Sequence, residues 1–115
     1  MNVPGSQYQY VVMQSAAVAT GNGTAITCFQ ADLGAYLSVT LQIQGITSAT
    51  ITFEATIDGT NWVAVLFENL NSGNTGTSAT ADGLYRGTVL GFYQVRARIS
   101  TWATGTITVT GVATA

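Results

Sequence analysis

The chain has 115 residues, with three basic and five acidic side chains, no histidine and a net charge of −2 at pH 7. Charged residues make up 7% of it, against about 25% in an ordinary soluble domain, so its polar surface is built from Thr, Ser, Asn, Gln and backbone. That inventory argues against nucleic acid, whose phosphates need several Lys or Arg contacts, and against a zinc centre, which needs several His or Cys ligands.

One domain of this size buries roughly two-thirds of its unfolded surface and needs no staple. A weakly charged surface tends to associate, so the protein is expected in an assembly. No apolar run reaches the ~18 residues of a membrane span. The start, MNVPGSQYQYVVM, lacks the basic and apolar regions of a signal peptide. With Cys28 alone no intrachain disulfide forms, and the expectation is a chain made and folded in a cytosol.

In chain order, the first apolar run spans 7–13, and residues 1–15 read either as a mobile arm led by Pro4-Gly5 or as a first strand. A second run, 24–30, holds Cys28 between apolar neighbours, where a buried structural thiol is expected, since no His can activate a nucleophile. Leu37, Val39, Leu41 and Ile43 alternate with polar residues, and Ile51, Phe53, Ala55 and Ile57 do the same, the period-two signature of half-buried strands. Runs at 61–67 and 84–89 are less regular. Tyr93, Val95, Ala97 and Ile99 alternate with Gln94, Arg96 and Arg98; Ile107 and Val109 alternate with threonines. Turn chemistry separates these runs at Gly21-Asn22-Gly23, Asp32-Leu33-Gly34, Gly45, Asp58-Gly59, 71–76, Asp82-Gly83, Gly91 and Gly105. Nothing reads as a helix. About eight such strands predict an all-β fold, a single antiparallel two-sheet sandwich with a jelly-roll-like arrangement. The run NSGNTGTSATADG (71–83) is expected to be an exposed loop.

Asp58-Gly59-Thr60-Asn61, between two apolar runs, poses the question of site or turn. Asp-Gly flanked by alternating residues is a hairpin signal, because glycine takes the positive φ that such turns need. The motif is read as a corner, with Trp62 covering one end of the core. Asp58 and Asp82 could offer oxygens to calcium, but their spacing matches no calcium loop, and no metal or cofactor is expected. Glu54 and Glu68 could in principle flank a sugar as a catalytic pair. They lie on different runs, and Glu54, alternating with core residues, is expected to face solvent. The chain is therefore read as non-enzymatic.

Two groups remain as binding candidates. Arg86, Arg96 and Arg98 all fall within thirteen residues, and pairing of 84–89 with 92–99 across Leu90-Gly91 would join them in one outward patch. Such a patch is either a solvated face or an anchor for a partner's carboxylates, which suit the rigid guanidinium fork. Trp62 and Trp102 could stack on a sugar face, the alternative being core or corner packing. Tyr8 and Tyr10 lie where the first segment could add to a neighbour's sheet edge.

From Ile51 to Val112 the sequence resembles small virion proteins of tailed bacteriophages. The shared pattern is a strand, Asp58-Gly59-Thr60-Asn61-Trp62, a polar loop, Gly83-Leu84-Tyr85-Arg86, Val95-Arg96-Ala97-Arg98, and a closing strand from Thr104 to Gly111. The resemblance implies a β-sandwich decoration (cement) protein on the capsid exterior, assembled in the host cytoplasm. Its partners would be itself, as a homotrimer, and the major capsid protein. The alternatives are a tail or baseplate module that binds host surface glycans, and a tail or head–tail structural subunit. It carries over no catalytic residues.

Overall fold

The computed structural model describes residues 8–30 and 34–115. The segment around Pro4-Gly5 and the turn residues Asp32 and Leu33 lie outside them. Among the described residues there is no helix, and eleven strand segments occur: β1 (Tyr8–Ala17), β2 (Ile26–Thr27), β3 (Phe29–Gln30), β4 (Gly34–Ala35), β5 (Ser38–Thr56), β6 (Val63–Ala64), β7 (Phe67–Asn69), β8 (Thr75–Gly76), β9 (Ser78–Ala79), β10 (Gly83–Thr88) and β11 (Gln94–Thr114).

The frame is one antiparallel ribbon made of β5 and β11, paired from Gln94↔Thr56 to Thr114↔Ser38. Each of these strands spans what the sequence pattern splits in two, because Gly45 and Gly105 bend the ribbon without ending it. Both take positive φ, +91° and +124°, and they cross at close quarters. A Cβ on Gly45 would overlap the Thr106 carbonyl, and one on Gly105 would sit 2.6 Å from the Gly45 carbonyl oxygen. Register shifts between Ile99 and Thr108 absorb the bend, as bulges do in strongly curved strands. Asp82 fastens it. Its carboxylate accepts from the backbone N–H of Gly45 (3.1 Å) and Ile46 (2.9 Å).

Folded over this way, the ribbon contributes to two layers. In the first, the strand order is β1-β11-β5-β10-β7-β8, built on Ser38–Gln44 and Thr108–Thr114. In the second, β2 pairs with the start of β11, while β6 and β9 pair with the later half of β5. β3 and β4 form a separate small hairpin. Odd-numbered residues of β5 point inward in both halves: Val39, Leu41, Ile43, Ile51 and Phe53 are all fully buried. Phe53 of the second layer stacks on Phe67 of the first at 4.7 Å and tilts against Tyr85 at 5.5 Å, so the layers close on an aromatic centre. Gly87 makes room for that centre, since a Cβ there would lie 2.7 Å from the Phe67 ring. The fold is all-β, antiparallel and sandwich-like.

Two local expectations give way, and the N-terminal segment takes the second of its two readings. β10 pairs with β5 and β7, and the Leu90-Gly91 link carries the chain across to the other layer instead of closing a hairpin with β11. The stretch 71–83 is not all exposed loop. It contains β8 and β9, and Ala79 is buried against the core because Ile51 and Thr52 recruit it as a sheet partner. The N-terminal segment is a full strand from Tyr8, held by β11. Its bulge is filled by Gln14, whose amide donates to the carbonyls of Ala97 (2.9 Å) and Gly21 (3.1 Å).

Candidate functional site

The three arginines are not one patch. Arg86 projects from the outer face of the first layer, where its Nε donates to Thr40 Oγ1 at 3.0 Å. Arg96 and Arg98 lie on the outer face of the second layer, opposite Glu54 and Thr52. The pairing of β10 with β5 separates them.

Arg96 and Arg98 converge on Glu54. Arg96 reaches Glu54 Oε1 through both Nε and a terminal nitrogen at 2.8 Å, and Arg98 Nε reaches Oε2 at 3.1 Å. The Arg96 guanidinium also lies 4.0 Å from the centre of the Trp62 ring, within cation–π range. Glu54 does point outward by strand alternation, yet these side chains cover it, and its side chain is 11% exposed. The expectation of a solvent-facing carboxylate is thus corrected, because two cross-strand guanidiniums fold over it. Two guanidiniums face one carboxylate, so the Glu54–Arg96–Arg98 cluster keeps one uncompensated positive charge, with Arg96 largely covered and Arg98 the more exposed of the two.

Cross-strand neighbours share a sheet face, and a second group is assembled that way. One row across the first layer runs Tyr10, Val112, Thr40, Arg86, Glu68. Flanking rows run Val12, Thr110, Gln42, Leu84, and Tyr8, Thr114, Ser38, Thr88. Tyr8 and Tyr10 are 62% and 60% exposed, and Val12 and Leu84 also stand in solvent. The structure therefore gathers Tyr8, Tyr10 and Arg86 on one broad, weakly charged face. Val12, Val112 and Leu84 belong to it too. Sequence reasoning missed them because membership depends on long-range register.

The two tryptophans part company. Trp62 covers Arg96 on the outside of the second layer. Trp102 pairs with buried Ala49 and packs against the core rim, its Nε1 donating to the Gly105 carbonyl at 3.0 Å. They form no common platform.

The Asp58 loop is a corner. Asp58 Oδ1 accepts from the backbone N–H of Thr60 and Asn61, both at 2.8 Å, and from Thr56 Oγ1 at 2.9 Å; Oδ2 takes the Asn61 amide at 2.7 Å. The Asn61 amide N–H foremost, then Thr60, then the Asn61 and Thr56 side chains hold this carboxyl far below the usual carboxylate range. Beside the loop lies a shallow apolar cleft of about 350 Å³ between Ile57, Val63, Val65 and Phe92. Burial pushes the Cys28 thiol up to about 12, so it stays protonated and unreactive. Desolvation, with the Asp82 charge adding to it, raises the Tyr85 phenol; its hydroxyl donates to the Ala81 carbonyl at 2.8 Å. No group of three or more potential metal ligands occurs among the described residues.

This is an antiparallel, sandwich-like β-domain, and two solved structures share its fold. The SPBc2 prophage-derived protein YomS superposes with a TM-score of 0.82 at 22% identity, covering 98% of this chain and 96% of that one. The PBSX exported protein XepA superposes with a TM-score of 0.86 at 15% identity over 98% of this chain; the match takes up 39% of XepA. At these identities the likeness shows a common fold. No family model matches the sequence, and no curated protein matches it.

Proposed function

We propose that this chain is a non-enzymatic structural protein of a phage particle, a capsid decoration protein that binds copies of itself and the major capsid protein on the shell exterior. The observation that carries the reading is the outer face of the first layer, where Tyr8, Tyr10, Val12, Val112, Leu84 and Arg86 stand in register. Aromatic residues and arginine are the types enriched at protein interfaces, and lysine, absent here, is depleted. The phage context is supported by the motifs shared with tailed-phage virion proteins and by a fold held in common with two prophage proteins.

Attachment through this face makes a specific demand. Tyr8→Ala, Tyr10→Ala and Arg86→Ala, combined, should lower occupancy on particles lacking the native copy, while circular dichroism of the free protein stays unchanged. Arg96 and Arg98 are unsuitable for that test, since removing them strands Glu54. Full occupancy by the triple variant would exclude the face. Cryo-electron microscopy of intact particles that places the density on the tail would exclude the capsid role altogether.

A further inference from the structure

We infer a second binding site at the bend of the ribbon, a cleft that takes a neutral sugar ring. It occupies about 390 Å³ and is lined by Thr47, Ser48, Thr50, Thr80, Thr101 and Trp102, within the range of small-ligand clefts. The inference stands apart from the capsid reading, because the cleft lies at the bend and shares no residue with the Tyr8–Arg86 face.

Three features meet there. The first is chemical. Five hydroxyls and one indole line the cleft, and none of its lining residues carries a charge. Hydroxyls both donate and accept, and an indole offers a flat apolar surface. That combination suits a pyranose, which presents hydroxyls at its rim and C–H groups on its face; it suits a phosphate or a carboxylate ligand poorly. The second is that the fold leaves these hydroxyls available. Among the described residues, the side-chain hydrogen bonds next to the cleft run from Thr52 to Ser100, from Ser100 to the Thr50 carbonyl and from Trp102 to the Gly105 carbonyl. The lining hydroxyls take part in none of them.

The third feature is rigidity. Register shifts in the ribbon concentrate between Ile99 and Thr108, opposite Gln44–Ile51. Bulges re-aim side chains, and here they set Thr101 opposite Thr50, and Trp102 opposite Ala49. The indole is pinned by its N–H to the Gly105 carbonyl, and the Thr80 wall is held between β9 and the Asp82 clamp on Gly45 and Ile46. A ring fixed before the ligand arrives loses less freedom on binding. Trp62, stacked on Arg96 on the outer face of the second layer, belongs to no such cleft.

The test is an NMR titration of the 15N-labelled full chain with galactose, N-acetylglucosamine and maltotriose at up to tens of millimolar. Expected are saturable shifts confined to 47–50, 80 and 101–103 for at least one sugar, with a dissociation constant on the order of millimolar. Thr80→Val with Thr101→Val keeps the side-chain shape and removes two hydroxyls, and should weaken binding by roughly tenfold. Trp102→Phe removes the anchoring N–H and should weaken it as well. A flat titration with all three sugars would overturn the site. So would an unaltered affinity in the double valine variant, shifts centred on Trp62, or equal shifts from ethylene glycol. Loss of capsid occupancy by the Tyr8/Tyr10/Arg86 variant leaves this titration unchanged, so the two readings fail separately.

Discussion

Replacing Glu54 by alanine should destabilise the fold more than any other surface-directed change on β5. The carboxylate receives two charge-assisted contacts from Arg96 at 2.8 Å and one from Arg98 at 3.1 Å. Arg96 is 16% exposed at its side chain, so its desolvation is largely complete, and loss of its partner leaves a guanidinium covered but unpaired. Hydrogen bonds to charged groups are each worth roughly 1.5–3 kcal/mol when buried. The Arg98 contact, at 35% side-chain exposure, is solvent-screened and worth about 0.5 kcal/mol. Stacking on Trp62 persists and lets Arg96 recover part of the loss, which brings the expected cost to about 2–3 kcal/mol. For a domain of this size that is a melting temperature lower by roughly 10 °C. Urea unfolding followed by circular dichroism measures it, with Arg98→Ala as an internal comparison expected to cost under about 1 kcal/mol. A Glu54→Ala loss below about 0.5 kcal/mol, or one equal to that of Arg98→Ala, would refute the claim that the cluster behaves as a buried pair.

Gly87→Ala should cost about 1–3 kcal/mol by overpacking the Phe53–Phe67–Tyr85 centre, read as an earlier urea midpoint; an unchanged midpoint would mean that Phe67 moves aside freely. Asp58 contributes stability that is present above the ordinary carboxylate value of about 3.9 and is lost as pH falls through its depressed folded value. The difference in melting temperature between the native chain and Asp58→Ala should therefore be constant from neutral pH to about pH 5 and shrink below about pH 4; a difference that grows on acidification would reverse the sign. Chelation should leave the melting temperature unchanged, because Asp58 and Asp82 spend their oxygens on backbone amides; a fall in EDTA that calcium restores would contradict this. Light scattering on the purified chain should give about three times 11.9 kDa, as the low charge density and the phage resemblance imply, and a monomer at micromolar concentration would count against self-association.

The legible parts of this molecule are those decided locally. Period-two alternation marked the inward residues of β5 and β11 without reference to their partners, and the Asp58 corner was written in four consecutive residues whose hydrogen bonds close on one another. What escaped the sequence depends on who lies opposite whom. Gly45 and Gly105 each look like a strand end, and only when they are set across from one another do they become a single bend that folds one ribbon into two layers. Glu54 looks solvated until 51–56 is paired with 94–99, at which point Arg96 and Arg98 fall on either side of its carboxylate. The same dependence separates Arg86 from its two neighbours in sequence and joins it to Tyr10, 76 positions away, through Val112 and Thr40. The bend cleft is the extreme case. Its threonines are ordinary strand and loop residues taken singly, and they line one cleft with Trp102 only because the register shifts of β5 and β11 fall together there. The one signal the sequence offers is a break in alternation around Gly45 and Gly105 on two strands at once, flanked by Thr and Ser on each. Set across from one another, those two breaks mark where the ribbon folds over.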